Sequence, residues 1–316
     1  MTSDRRCLAA VTLGPTEALR REASFCLAIY IPRFGAPSCR SRAITLAVKT
    51  RTSQAVEVLT RREEQPFVVS WYELAHDSHP WFRWRLAAVL RQLRSLNIPL
   101  YRNLRVLEVG CGTGVLRSQF EANTNWIVDG ADLDYSALYQ AAPARGRTLY
   151  YDILDEMAEL AEAYDVLILY DVLEHICEPT PFIASLLRHL KPGGLLLINV
   201  PAVRGLFNDF DKVVGHFRRY DHRTLVEEFR GFHVEIIDLR YWGLCLLPLL
   251  VFRDLMLRIK RNQSPDEIVR RGFESPHRLF DKFLSLLMRA ELALLRRPPV
   301  GSSLLMVCRK GESPSR

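Results

Sequence analysis

Three acids close short apolar runs, and the first is followed at once by a glycine bend: Glu108-Val109-Gly110-Cys111-Gly112-Thr113-Gly114, then Asp132, then Asp152. Glycine at positions 110, 112 and 114 lets the backbone turn tightly and approach a ligand with no Cβ in the way. Glu108, two residues ahead of the first glycine, is costly to bury unless a cation or donor meets it, and a ligand's amino group is such a partner. Asp132 ends Val128-Asp129-Gly130-Ala131-Asp132, where an acid can take hydrogen bonds from both hydroxyls of a ribose. Asp152 follows Tyr150-Tyr151, placed to accept from an adenine amino group. Each acid taken singly reads more simply as a helix cap or turn former. Together with the bend, the three converge on one crevice suited to an amino-acid head, a ribose and a purine in turn. A glycine-rich turn also serves dinucleotide enzymes, but the spacing here is G-x-G-x-G and an acid precedes it.

A second group is placed to act on an acceptor. In Asp171-Val172-Leu173-Glu174-His175, the first and last residues are four apart, so a helical turn puts them on one face with Glu174 beside them. His175 serves there either as a general base or as a loop organiser. Further on, Asp209 and Asp211 precede Gly215-His216-Phe217-Arg218-Arg219-Tyr220. His216 and Tyr220 are candidate acid–base groups. Arg218 and Arg219 are candidate acceptor-binding donors, suited to an anionic or polyhydroxylated molecule. The competing reading pairs Arg218 and Arg219 with Asp209 and Asp211 to brace the loop.

The elements that must position these groups alternate. Leu86, Val89, Leu90, Leu93 and Leu96 recur at helical spacing and predict an amphipathic helix ahead of the core. Strands are predicted at Arg105–Val109, Trp126–Asp129, Thr148–Tyr151, Val166–Leu169 and Leu195–Val200. The helices between them are Thr113–Phe120, Ser136–Ala142 and Pro181–Leu190, the last capped by Thr180. Lys191-Pro192-Gly193-Gly194 turns that helix into the next strand. Strands Phe232–Leu239 and Ser303–Cys308 flank a helical insert. Such alternation argues for a mostly parallel α/β sheet covered on both faces.

As a set, Glu108–Gly114, Asp132, Asp152, Tyr164-Asp165-Val166, Leu173-Glu174-His175 and Lys191-Pro192-Gly193-Gly194 resemble the successive motifs of class I S-adenosylmethionine-dependent methyltransferases. The branch resembled has L-E-H after strand four and G-H-x-R-R-Y after strand five. The resemblance implies a seven-stranded Rossmann-like sheet of order 3-2-1-4-5-7-6, strand 7 antiparallel, with the insert between strands 6 and 7. It implies S-adenosyl-L-methionine as cofactor, with contacts from Glu108, Gly110, Cys111, Gly112, Gly114, Asp132, Leu133, Asp152, Ile153 and Tyr170. Arg85, in an aromatic stretch resembling a cap element of one branch, either pairs with the cofactor's carboxylate or lies exposed on its helix. Asp171, Glu174 and His175 also resemble a metal-holding E-x-x-E-H set of certain quinone-ring and RNA-end O-methyltransferases. Asp replaces the first Glu here, and no metal is expected. The acceptor implied is a small molecule, saccharide or lipid-linked compound, methylated on oxygen or nitrogen.

Four units follow: 1–65, a disordered tail or mis-started extension; 66–103, a helical cap; 104–310, the methyltransferase domain; and within it the insert 241–300. Residues 1–62 hold eleven Lys/Arg against four Asp/Glu, which accounts for the whole net charge of +7. The body is neutral, so a nucleic-acid acceptor is disfavoured. The seven cysteines form no C-x-x-C pair and read as reduced thiols, giving a cytoplasmic expectation. In the insert, leucines interleaved with Arg253, Arg258, Lys260 and Arg261 either pack on the domain or a second subunit, or lie on a membrane surface. A nicotinamide oxidoreductase and a non-catalytic methyltransferase-like partner subunit are the rival classes. Glu108 and the glycine spacing weigh against the first, and the intact acids weigh against the second.

Overall fold

Period-two alternation sends the faces of each strand into different layers. The computed structural model describes residues 54–67, 72, 75–76, 79–259, 264, 267–269 and 278–312. Its strands are β1 (Val56–Val58), β2 (Arg105–Val109), β3 (Ile127–Asp132), β4 (Thr148–Tyr150), β5 (Tyr164–Tyr170), β6 (Leu190–Pro201), β7 (Val234–Trp242) and β8 (Ser303–Lys310). The helices are α1 (Pro80–Ser95), α2 (Val115–Asn123), α3 (Tyr135–Gln140), α4 (Pro179–His189), α5 (Asp209–Val213), α6 (His222–Glu228), α7 (Leu247–Ile259) and α8 (Arg278–Leu294). Leu107, Leu167, Leu196 and Met306 point to one side of the sheet, where Ile183 and Leu186 of α4 and Leu225 of α6 meet them. Val106, Val166, Ile168, Leu197 and Val307 point to the other, against Val89 and Leu93 of α1, Phe120 of α2 and Met288 of α8.

The sheet order is β1-β4-β3-β2-β5-β6-β8-β7. Strands β1 to β6 pair parallel, and β8 runs antiparallel between β6 and β7. Without β1 this is the expected order 3-2-1-4-5-7-6 with its last strand reversed. The parallel strands carry their C-terminal ends to one edge, so the loops after β2, β3, β4 and β5 share a rim.

Two expectations need correction. The last residues of the segment expected as a tail form an eighth strand: β1 pairs with β4 from Val56↔Thr148 to Val58↔Tyr150. Side chains hold it there. Gln54 Nε2 donates to the Gly146 carbonyl at 2.6 Å, and its Oε1 accepts from Ala144 N at 3.0 Å. Val56 packs by Tyr150 and Leu138, and Thr60 is buried and bonded to Asp155. Residues 1–53 lie outside the described residues. The second correction is that α4 starts at Pro179 with Glu178 as its cap, not at Pro181 after Thr180. Proline at the first helical position forgoes an N–H that would have no partner there, and Pro181, still within the first turn, likewise lacks an N–H that no carbonyl of the helix would have met.

Candidate functional site

The rim opens into a cavity of about 1340 Å³. At one end lies the bend after β2. Gly110 sits at φ +73, and a Cβ there would run into Val172. Gly112 sits at φ +51 with the Tyr72 ring 3.0 Å from where its Cβ would be. Neither position tolerates a side chain, which is the physical content of the glycine pattern. Glu108 is buried in β2, and one of its carboxylate oxygens has no partner. Burial pushes its carboxyl up to about 8, although Arg85 and Arg117 pull the other way. Asp132 accepts from Gly112 N at 2.7 Å and Asp134 N at 2.9 Å. Asp152 accepts from Leu154 N at 2.8 Å and pairs with Arg62 at 2.8 Å.

Of the residues expected at the cofactor, Arg85, Glu108, Gly110, Cys111, Gly112, Asp132, Leu133, Asp152, Ile153 and Tyr170 all line this cavity. Gly114 does not; it caps α2 at φ +74, and the buried Arg117 guanidinium fills the space beside it. Arg85 is not an exposed helix residue. It is buried beside the Trp81, Phe82 and Tyr170 rings, at 4.8, 5.1 and 5.6 Å from their centroids, and ion-pairs with Asp171.

A second group begins at Asp171, a non-glycine residue at φ +56 whose carboxylate also accepts from Asn199 Nδ2 at 2.7 Å. A left-handed backbone there is uncommon for a residue with a side chain and marks a position fixed by its surroundings. Glu174 is buried, and neither carboxylate oxygen has a hydrogen-bond partner. Burial, with Asp171 nearby, pushes its carboxyl well above the usual range. His175 lies edge-on to Phe67 at 5.5 Å and to His216 at 4.6 Å. Burial and the neighbouring His216 drive its pKa down to about 3, so this imidazole is neutral. His216 Nδ1 meets the Asp211 carboxylate at 2.8 Å, while its Nε2 faces Glu174 at 3.8 Å. Asp211 in turn holds Arg219 at 2.8 Å and accepts from Asn208 N at 3.0 Å. Burial opposes ionisation of Asp211, but His216 and Arg219 outweigh it and keep the carboxyl below its ordinary value.

The G-H-x-R-R-Y loop therefore divides. His216 and Arg219 line the cavity. Arg218 turns to Glu228 at 3.3 Å and the Cys177 carbonyl at 2.7 Å. Tyr220 is buried with its hydroxyl 3.4 Å from the Leu173 carbonyl, and burial raises its pKa. Neither Arg218 nor Tyr220 lines the cavity, so the catalytic expectation for Tyr220 and the acceptor-binding expectation for Arg218 are not supported by position. Bracing is real for Arg219 with Asp211, whereas Asp209 pairs with Lys212. Sequence reasoning missed Phe67 and Tyr72 in the cavity wall, and the role of Asp211 as the carboxylate behind His216. The spacing of Asp211 and His216 was the available signal for the last. Among the described residues, Glu174, His175 and His216 bring one potential metal-ligand atom each within 4.8 Å of one another. Asp171, the first member of the set expected from the sequence, is engaged by Arg85 and Asn199 instead.

A family model described as a methyltransferase domain matches residues 75–240, more than half of the chain. The chain belongs to that family. Over 110 residues it is 34% identical to a ubiquinone biosynthesis O-methyltransferase of Cereibacter sphaeroides, covering 33% of this chain and 44% of the relative. Over 96 residues it is 38% identical to a protein of the same name from Vibrio vulnificus, covering 28% and 40%. The chain thus spans less than half the length of the curated relatives it matches. Among solved structures it is similar to a phosphoethanolamine N-methyltransferase of Haemonchus contortus, with 17% identity, a TM-score of 0.45, and 71% of this chain and 52% of that one covered. It is also similar to a SAM-dependent methyltransferase of Archaeoglobus fulgidus, with 14% identity, a TM-score of 0.43, and 71% and 94% covered.

Proposed function

We propose that the protein is an S-adenosyl-L-methionine-dependent O-methyltransferase acting on a small-molecule acceptor. One observation carries the reading: a single cavity runs from Glu108, Asp132 and Asp152 at the glycine bend to a histidine held by a buried carboxylate. The two ubiquinone biosynthesis O-methyltransferases named above support oxygen as the atom methylated.

The residues present fit the cofactor. The Glu108 oxygen without a partner is a seat for an ammonium, and Asp132 and Asp152 stand where a ribose and an adenine would follow. The cofactor supplies a methyl carbon bonded to a sulfonium sulfur, which leaves as a thioether when that bond breaks. The acceptor oxygen forms the new bond to carbon, and its proton goes to His216 Nε2. Asp211 makes this possible by taking the Nδ1–H, which fixes the tautomer that leaves Nε2 as the acceptor. Arg219, pinned on Asp211, keeps that carboxylate ionised. Holding oxygen and methyl in line is itself worth several kcal/mol. Calorimetry with S-adenosyl-L-methionine, followed by methyl-transfer assays on a panel of phenols and catechols, tests this; no uptake of the cofactor removes it.

A second reading is favoured by Glu174, whose two buried oxygens lack partners, and by the neutral imidazole of His175. With His216 they fit a divalent cation, which would lower the pKa of a bound acceptor hydroxyl. Chelator treatment separates the two. Activity that survives it belongs to His216 as base, and activity restored only by added cation belongs to the metal. A cytoplasmic location goes with this reading, supported by free Cys111, Cys177, Cys245 and Cys308. No helix among the described residues is long and apolar enough to cross a membrane.

A further inference from the structure

The two helices of the insert are apolar on their outer as well as their inner faces. On α7, Val251, Phe252, Leu255 and Ile259 are exposed, Phe252 by 59% and Ile259 by 63%. On α8, Phe283, Leu286, Leu287 and Leu294 are exposed, Leu286 by 64% and Leu294 by 79%. Phe252, Leu255 and Ile259 on α7, and Phe283, Leu286, Leu287 and Leu294 on α8, recur mainly at spacings of three, four and seven, which gathers each set on one side of its helix. The inner sides are already packed, Leu284 and Met288 of α8 in the core with Leu249 of α7 against it, and Leu257 of α7 against Phe210 and Ile268. A helix that is apolar all round is normally buried on all sides. Here one side has nothing over it among the described residues.

Among the described side chains, the exposed charges on these two helices have one sign, although Glu267, between them, is an exposed acid. Among the described side chains of α8 the exposed charged residues are Lys282 and Arg289, and Arg296 is exposed just beyond its end. The acids of the helix are withdrawn: Asp281 lines the cavity, and Glu291 is buried, accepting from the backbone N–H groups of Gly243, Leu244 and Cys245 at 2.7, 3.1 and 2.9 Å. No exposed charge is found on α7 among its described side chains. Apolar stripes with a basic fringe complement an anionic headgroup layer above acyl chains. A second copy packed by two-fold symmetry would instead set the basic fringe against itself. The same helices border the cavity: Leu249, Phe252 and Met256 of α7 and Phe280 and Leu284 of α8 are among its lining residues. Phe252 belongs to both surfaces.

We propose that α7 and α8 form a docking face for an anionic lipid bilayer, setting the cavity mouth against the acyl layer so that a membrane-dissolved acceptor reaches His216 without crossing water. The last clause rests on reading the cavity as the methyl-transfer site; the docking itself does not. The test is flotation of the full chain with vesicles of phosphatidylcholine alone and of phosphatidylcholine with phosphatidylglycerol. The chain is expected to float with the anionic vesicles, to float less with the neutral ones, and to be released as salt rises. The double variant Leu255→Glu/Leu286→Glu is expected to lose tenfold or more in vesicle partitioning, a conversion of about 1.4 kcal/mol per tenfold, while its melting temperature and cofactor uptake stay those of the parent. Leu255→Ala/Leu286→Ala gives an intermediate loss and guards against a charge effect on folding. The proposal is overturned if the parent stays below both vesicle types, if it floats equally well on neutral vesicles, or if the Glu variant floats as the parent does. It is likewise overturned if light scattering finds a parent dimer that the Glu variant converts to monomer, since the face then belongs to a second copy. Flotation without any uptake of S-adenosyl-L-methionine would leave the docking face standing and sink the proposed function.

Discussion

Asp132 and His216 both line one cavity, on different loops of the rim, and their substitution should separate binding from chemistry. Asp132→Ala removes hydrogen bonds to a charged acceptor, each worth roughly 1.5–3 kcal/mol, so cofactor affinity should fall at least about tenfold. His216→Ala should leave cofactor affinity nearly unchanged and lower kcat by roughly 10²–10⁴-fold. Equal losses of affinity in titrations of the two variants would contradict the division. Glu108 gives a pH prediction. Its carboxyl, raised to about 8 by burial, keeps a proton in the folded chain that the unfolded chain releases near the ordinary carboxylate value of 4.5. The folded state binds more protons across that window, so ligand-free stability should decline as pH rises from about 4.5 to about 8. Glu108→Gln should flatten that part of a melting-temperature profile, and an unchanged slope would count against the buried acid as its source. These two carboxylates were legible in the sequence because a glycine bend and strand ends fix their surroundings locally. The role of Asp211 was harder to read, because it depends on how α5 and the following loop fold back on each other.

At the scale of the element, the centres of the sheet strands could be read, since each is an apolar run feeding both core layers, Leu107 and Val109 to one and Val106 to the other. Their ends were less legible, for β3 runs on to Asp132 and β6 starts as early as Leu190. β1 could not be read. Three residues, Val56–Val58, carry too little pattern, and they are a strand because β4 offers an open edge and Gln54 and Thr60 clamp both sides. The start of α4 was misplaced by two residues because two prolines compete for the first turn. α1 carries Arg85 and closes the cavity, so its packing should matter for binding as well as stability. Leu93 is fully buried beneath it. Leu93→Ala should cost about 2–5 kcal/mol in denaturant unfolding, and a cost near zero would mean that α1 is not packed as described.

For the whole molecule, charge and cavity together define what it can meet. The excess of basic residues falls within residues 1–62, and the remainder is balanced, so electrostatic attraction to nucleic acid is not built into the methyltransferase body. The cavity is lined both by the carboxylates of Glu108, Asp132 and Asp152 and by apolar side chains of α7 and α8, a mixture of polar anchors and apolar wall that small-molecule sites share. Ligand binding should stabilise the whole fold, since loops after four strands close on it. Saturation at about a hundred times Kd adds roughly 2.7 kcal/mol, enough to raise Tm by several degrees. The most direct measurement is titration calorimetry of the intact chain with S-adenosyl-L-methionine, paired with its melting temperature. Uptake at one site per chain, a raised Tm, and loss of both in Asp132→Ala is the predicted result; no heat of binding and an unmoved Tm in the parent protein would contradict the account.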